Sequence, residues 1–300
     1  MTLKTIGFIG LGVMGGPMCR NMAKKHNGEI WMLDRDEAAM QALSDTPAKA
    51  ATSLEELAAK ADAIFLSLPG GPQVEAVCEA IQKAARPGTV IVDLSTTPVA
   101  VARSVGQRMA EAGLKFADAP VARTREAAQR GELSIMVGTD EALFAAIKPV
   151  LDYIGSDVTH CGEVGCGQVV KLINNALVFE NTVALAEMMV IGERAGVAPK
   201  TLLEAVSKGS GDSFVLRNHG MKAMLPRNFP EKAFPPEYVL KDLDYVLALA
   251  SEMKVAPRVT ELARNYYDAA RENGLSGRYF PGVIELVENG GLAQEGPKER

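Results

Sequence analysis

An apolar run from Ile6 to Ile9 feeds directly into Gly10-x-Gly12-x-x-Gly15, and an apolar-periodic helix follows. The run reads as a buried strand, and the glycines constrain what can come next. Gly10 permits a tight turn. Gly12 lets the backbone approach a pyrophosphate. Gly15 lets the helix lie close against the strand, with its N-terminal amides facing the phosphates. The flanking Leu11, Val13 and Met14 are then the loop residues that border the cofactor. A glycine triplet alone is weak evidence, but here a strand precedes it and a helix follows.

An acid stands at the right distance. Asp34 ends a second strand-like run, Ile30 to Leu33, nineteen residues past Gly15. A carboxylate there accepts hydrogen bonds from the adenosine ribose hydroxyls and repels a 2′-phosphate, which favours NAD over NADP. The adjacent Arg35 leaves NADP open, because a guanidinium can stack on adenine or tolerate that phosphate.

Strand and helix alternate through the first half. Strand-like runs fall at Thr5–Ile9, Glu29–Leu33, Ala63–Ser67, Val90–Leu94, Lys115–Ala117 and Leu133–Val137, with helical patterns such as Ser53–Lys60 and Gly71–Ala84 between them. Ser53 with Glu56 reads as a capping box. This order predicts a doubly wound, mainly parallel α/β sheet, whose ligands sit beyond the carboxyl ends of the strands. From Lys171 to Ala195 the chain reads as one long, mostly apolar helix. Helical patterns continue at Pro199–Ser207, Tyr238–Glu252 and Arg258–Glu272, with no further strand. A helix apolar on most sides must be buried, so an all-α second domain and a homodimer or homotetramer are expected. The boundaries expected are 1–164 and 165–300, with 165–195 as the long interdomain helix. The polar tail from Gly290 to Arg300 is expected to be mobile.

Composition narrows the partners. The 300 residues carry a formal net charge of −5 without a Lys/Arg block, so neither nucleic acid nor an anionic membrane is expected to bind. No charge-free apolar run of the ~18 residues needed to span a bilayer is seen, and no signal peptide is read, so a cytoplasmic protein is expected. Cys19, Cys78, Cys161 and Cys166 make no CxxC pair and are expected as reduced thiols, with Cys166 a buried structural residue. His160 and Cys161 beside Cys166 lack a second ligand pair, so no metal is expected.

The second informative segment is Gly162-x-x-Gly165-x-Gly167-x-x-x-Lys171-x-x-Asn174-Asn175. Lys171 and Asn175 are four apart and share a helix face. Most lysines are solvated. The neighbours of this one (Val169, Val170, Leu172, Ile173) are apolar, which argues against an exposed position. Such a lysine can exchange a proton with a substrate oxygen, and the amide of Asn175 can both donate to and accept from a hydroxyl.

Taken with Gly7–Met18, Asp93–Pro98, Asp118-Ala119-Pro120-Val121, Gly131–Gly138 and Lys241-Asp242-Leu243, this segment makes the chain resemble the β-hydroxyacid dehydrogenases over nearly its whole length. The resemblance implies a Rossmann domain followed by a helical domain. It implies hydride transfer between NAD(P) and the carbinol carbon of a small anionic β-hydroxy acid or semialdehyde. Lys171 would be the general acid/base and Asn175 a substrate ligand. Leu68, Pro69, Ser95 and Thr96 would line the nicotinamide side, Phe234 would sit near the reactive end, and Lys241 would close over the site.

One segment departs from the family pattern. Where the family usually reads Ser-Gly-Gly to hold the substrate carboxylate, this chain has Ala122, Arg123 and Thr124. A guanidinium suits bidentate recognition of an anion, and a similar variation occurs in the family's sulfolactaldehyde reductases, so a sulfonate joins the carboxylate as a candidate. Arg123 could instead swing away to pair with an acid such as Glu126. Phe214 either walls the pocket or packs in the core. The competing reading of the whole chain is a non-catalytic dinucleotide-binding sensor or scaffold; the presence of both Lys171 and Asn175 favours the enzyme.

Overall fold

The computed structural model describes residues 3–231 and 233–292. The chain divides into two compact units, Met1–Lys171 and Leu172–Arg300. The expected boundary at 164/165 falls just before a 29-residue helix, Cys166–Arg194, and the units divide inside that helix. The last eight residues of the polar tail lie outside the described residues.

Among the described residues, the first unit holds nine strands. They are β1 (Thr5–Ile9), β2 (Glu29–Leu33), β3 (Lys49–Ala50), β4 (Ala63–Leu66), β5 (Val90–Asp93), β6 (Lys115–Asp118), β7 (Val121–Ala122), β8 (Leu133–Gly138) and β9 (Gly155–Gly162). The order β3-β2-β1-β4-β5-β6-β8-β7, with β9 also on β8, has the strand-order reversal beside β1 that marks a dinucleotide-binding crevice. Pairing is parallel from β3 through to β6; β8 runs antiparallel to β6 and β7.

Seven helices accompany these strands: α1 (Gly15–Lys25), α2 (Glu37–Gln41), α3 (Leu54–Lys60), α4 (Gly71–Ala84), α5 (Val99–Glu111), α6 (Arg125–Arg130) and α7 (Glu141–Leu151). Both sheet faces are covered, which is why the central strands are apolar almost without interruption. Ile6, Phe8, Phe65 and Val92 pack with Met18 and Met22 of α1 and Ile147 of α7. Their neighbours Ile9, Ile64, Leu66 and Ile91 pack on the other side with Leu57 of α3, Ile81 of α4 and Met109 of α5. The period of two assigns alternate strand residues to the two cores.

The expected strands and helices of this unit are present, with three differences. The polar β9 and the two-residue β3 and β7 are additions, because their sequences carry no apolar run. Ser53 Oγ caps the Glu56 amide at 3.2 Å, but the Glu56 carboxylate returns to the amide and hydroxyl of Thr52 instead of closing the box on Ser53. Cys166 is half-buried at the start of its helix, not a core residue. Cys19 and Cys78 are the buried thiols, and burial pushes the Cys19 thiol up to about 12.

The second unit is helical: the rest of α8 (Cys166–Arg194), α9 (Pro199–Val206), a π-helical segment Leu216–Met224, α10 (Pro236–Glu252), α11 (Arg258–Ala270) and α12 (Val283–Glu288). By length and composition alone α8 could cross a membrane. One stripe of it, with Ala176, Phe179, Val183, Ala186, Met189 and Val190, is instead core, packed with Leu203, Leu243, Tyr267 and Phe280.

His219 sits at the edge of this core. It shares a 2.9 Å hydrogen bond with the Tyr279 hydroxyl and contacts the Phe214 and Phe280 rings. Burial, with Lys222 nearby, lowers its pKa to about 4. The folded value is below the unfolded one of about 6.5. Its contribution to stability is therefore full above that value and lost as pH falls through 4, at most about 3 kcal/mol in all. Thermal melts at pH 7.5 and 4.5 check this: His219→Gln is expected to lose less stability than the wild type over that interval.

Candidate active site

The glycine loop has the shape of a pyrophosphate cradle. Gly10 stands at φ 94°, and a Cβ there would lie 2.2 Å from the Ser67 carbonyl oxygen. A Cβ on Gly15 would lie 1.9 Å from the Gly10 carbonyl oxygen, so β1 and α1 can meet only through glycines. A Cβ on Gly12 would meet nothing within 4 Å, which leaves the loop backbone open where phosphates approach. Met14, the N-cap of α1, makes no side-chain capping bond; the Gly16 amide donates to the Gly12 carbonyl at 3.0 Å, and Pro17 brings no N–H. Leu11 is buried and Val13 exposed. These features fit a dinucleotide.

Asp34 closes the cradle at the end of β2. One carboxylate oxygen accepts the Leu11 amide at 2.5 Å and the other accepts the Asp36 amide at 2.9 Å. The carboxylate is thus fixed beside the glycine loop, while Arg35 is exposed. At the carboxyl ends of β4 and β5, the Leu68 amide donates to Ser95 Oγ at 2.9 Å, which ties the Leu68-Pro69 turn to the Ser95-Thr96 turn. Ser95 is buried and Pro69 exposed. The side chain of Gln168, which sequence reasoning left without a role, donates to the Ser95 carbonyl at 2.8 Å and accepts the Thr97 amide at 3.1 Å. It pins the Ser95–Thr97 turn to the first turn of α8.

That first turn is capped from a distance. Asp118, at the end of β6, accepts the Gly165 amide at 2.7 Å and the Gln168 amide at 2.8 Å. Burial raises its carboxyl to about 6, against the opposing pull of these amides. A Cβ on Gly167 would lie 2.8 Å from this carboxylate, so glycine is what allows the approach. One turn further on stand Lys171 and Asn175, both buried at 8% and 7% exposure. The expectation of a buried lysine holds.

In the second unit, Asn175 is held at both ends of its amide. Its nitrogen donates to Asp242 at 2.7 Å and its oxygen accepts from Asn174 at 3.1 Å. Asp242 is 2% exposed, and Lys241 Nζ lies 3.0 Å from its other oxygen. The structure thus brings Asn175, Lys241 and Asp242 into one cluster. Asp242 was quoted in a sequence motif but given no role; an acid directly after Lys241 in an amphipathic helix was the available signal. Phe234 stacks on Phe179 and tilts against Tyr238. Phe214 is half exposed and meets the His219 ring edge-on, so it is not a core residue.

The Arg123 guanidinium has partners that neither reading of the sequence named, and Glu126 is not one of them. The guanidinium donates to the Glu132 carbonyl at 2.7 Å, Ser156 Oγ at 2.8 Å and Asp157 Oδ2 at 2.7 Å. Ala122 is buried, and Thr124 caps α6 through the Ala127 amide at 3.4 Å.

The Asp242 contact predicts a kinetic effect. Asp242→Ala frees the Asn175 amide, and kcat is expected to fall about tenfold or more while NAD affinity holds, read by steady-state kinetics and cofactor titration.

Comparison with known proteins gives the family. Residues 5–162 match the NAD binding domain of 6-phosphogluconate dehydrogenase, and residues 165–287 match the NAD-binding domain of NADP-dependent 3-hydroxyisobutyrate dehydrogenase. The chain is 36% identical over 286 residues to 2-(hydroxymethyl)glutarate dehydrogenase of Eubacterium barkeri, covering 94% of each. It is 32% identical over 290 residues to mitochondrial 3-hydroxyisobutyrate dehydrogenase of Homo sapiens, covering 94% of this chain and 86% of that one. A solved structure of Mycobacterium tuberculosis 3-hydroxyisobutyrate dehydrogenase with L-serine matches with a TM-score of 0.89 at 26% identity, over 95% of this chain and 99% of the other. The relatives are catalysts, which decides against a non-catalytic binder. The chain belongs to the β-hydroxyacid dehydrogenase family and is an NAD(P)-dependent oxidoreductase.

Proposed function

We propose that this enzyme interconverts a small β-hydroxy acid and its semialdehyde, with Lys171 as the proton-transferring group. The observation that carries this is the buried pair Lys171 and Asn175, one turn apart on a helix whose start is fixed by Asp118. The bound nicotinamide supplies the hydride acceptor or donor. Lys171 Nζ takes the proton of the substrate hydroxyl in oxidation and returns it to the oxygen in reduction. The positive charge it gains with that proton in oxidation, or carries before giving it up in reduction, favours the alkoxide character on that oxygen. Asn175, held by Asp242 and Asn174, orients that same hydroxyl.

Three relatives support the substrate class by name: 2-(hydroxymethyl)glutarate dehydrogenase, 3-hydroxyisobutyrate dehydrogenase and 2-hydroxy-3-oxopropionate reductase. Each substrate named has a carboxylate close to a primary alcohol or aldehyde. The backbone of Ala122–Thr124 is the element proposed to receive that anion. A carboxylate is favoured over a sulfonate, because the guanidinium that suggested a sulfonate is already committed to Asp157. NAD is favoured over NADP by the fixed carboxylate of Asp34.

The test is a panel of 3-hydroxyisobutyrate, serine, threonine, 4-hydroxybutyrate, glycerate and dihydroxypropanesulfonate with either cofactor, followed at the reduced-nicotinamide absorbance. Turnover with a β-hydroxy carboxylate is expected, and Lys171→Met is expected to lower kcat about 10²–10⁴-fold. Intact turnover in that variant refutes the assignment.

The second unit carries a face that suits a second copy of the chain. Ile173, Leu177, Met188 and Ile191 lie exposed along one side of α8, and Val259 and Leu262 of α11 border a groove with Val183 and Ala184. A contiguous exposed apolar row of this kind marks an interaction surface. Homodimerisation through this face is proposed. Sedimentation is expected to give a mass above the 31.9 kDa of one chain, and Leu177→Asp combined with Ile191→Asp is expected to return it to that value.

A further inference from the structure

Arg123 is in a conformation that side chains avoid. Its φ is 86°, in the left-handed region where a Cβ crowds the backbone. The turn requires it: β7 ends at Ala122, and Thr124 is already the N-cap of α6. A single residue therefore links the two elements. Left alone, an arginine would relax out of this geometry and take the Ala122–Thr124 turn with it.

What holds it is on the far side of β8. That strand lies between β7 and β9, with Ser134 opposite both Ala122 and Asp157. The register shifts between Leu133 and Ser134, so Ser156 is an extra residue in β9. This bulge puts Ser156 and Asp157 both within reach of one guanidinium. Arg123 spans β8 to reach them and also binds the Glu132 carbonyl at the start of that strand. Ser156 Oγ in turn donates to Asp157 Oδ2 at 2.7 Å, so the acceptors are themselves fixed. The Arg123–Asp157 pair is partly exposed, and an isolated pair of that kind contributes little. A network of three bonds from a planar donor holds geometry better, and here it has only one strained residue to hold.

We propose that Arg123 is a positioning residue: its clamp onto Ser156 and Asp157 keeps residue 123 left-handed and so shapes the backbone of the Ala122–Thr124 turn that receives the substrate anion. Its charge is spent on Asp157 and does not bind substrate. The receiving role of the turn rests on the reading given under Proposed function; the clamp itself does not.

Two readouts separate these. In steady-state kinetics, Arg123→Ala and Asp157→Ala are expected to raise KM for the best hydroxy acid about tenfold with a smaller change in kcat, because the strained turn relaxes. Arg123→Gly is expected to recover most of what Arg123→Ala loses, since glycine takes this φ without a clamp. If Arg123→Gly loses as much as Arg123→Ala while Asp157→Ala leaves both KM and cleavage unchanged, the guanidinium binds substrate itself and the clamp is overturned. Limited trypsin digestion needs no substrate. Asp157→Ala is expected to speed cleavage after Arg123 and Arg125. Faster cleavage without any effect on KM upholds the clamp and refutes the turn as the anion site; unchanged cleavage and unchanged KM together refute the clamp.

Discussion

The buried carboxylate of Asp118 fixes where α8 begins, and with it the proposed site. It stands at the end of a central strand and accepts two amides at the start of α8. A helix start has amides with no intrahelical partner, and here a remote strand supplies the acceptor. Every side chain that follows on the helix is then set by the helical repeat. Gln168 reaches the Ser95 turn, Lys171 is one turn from the cap, and Asn175 one turn beyond. The cost is visible in the raised pKa of Asp118: burial disfavours the charge that the amides need.

The same logic recurs around the site. Polar side chains that touch no ligand position those that would. Gln168 ties the Ser95–Thr97 turn to α8, Asp242 sets the Asn175 amide, and Ser95 holds the Leu68 turn. Buried polar groups are costly unless paired, so each of these pairs is satisfied inside its own unit. Such fixed geometry is what the proposed proton transfer requires.

Arg123 shows how a residue's partners stay hidden when only residue types are visible. A forked cation in a loop expected to receive an anion suggests direct recognition. The neighbour that claims it, Asp157, is 34 residues away in sequence and sits in a bulged, polar strand that carries no apolar pattern. Nothing in the local sequence of either residue signals the pairing.

The sequence by itself determined the glycine loop, Asp34, the apolar strands β1, β4 and β5, the long helix and the pair Lys171 and Asn175. These follow from local rules: turn chemistry, a period of two or 3.6, and fixed spacing on one helix. Only the tertiary structure decided that Asp118 caps α8, that Asp242 holds Asn175 and that Arg123 turns to Asp157. The physical reason is the same in each case. A hydrogen bond depends on where two distant segments meet in three dimensions, and that meeting is set by packing of the cores, which no short stretch of chain encodes.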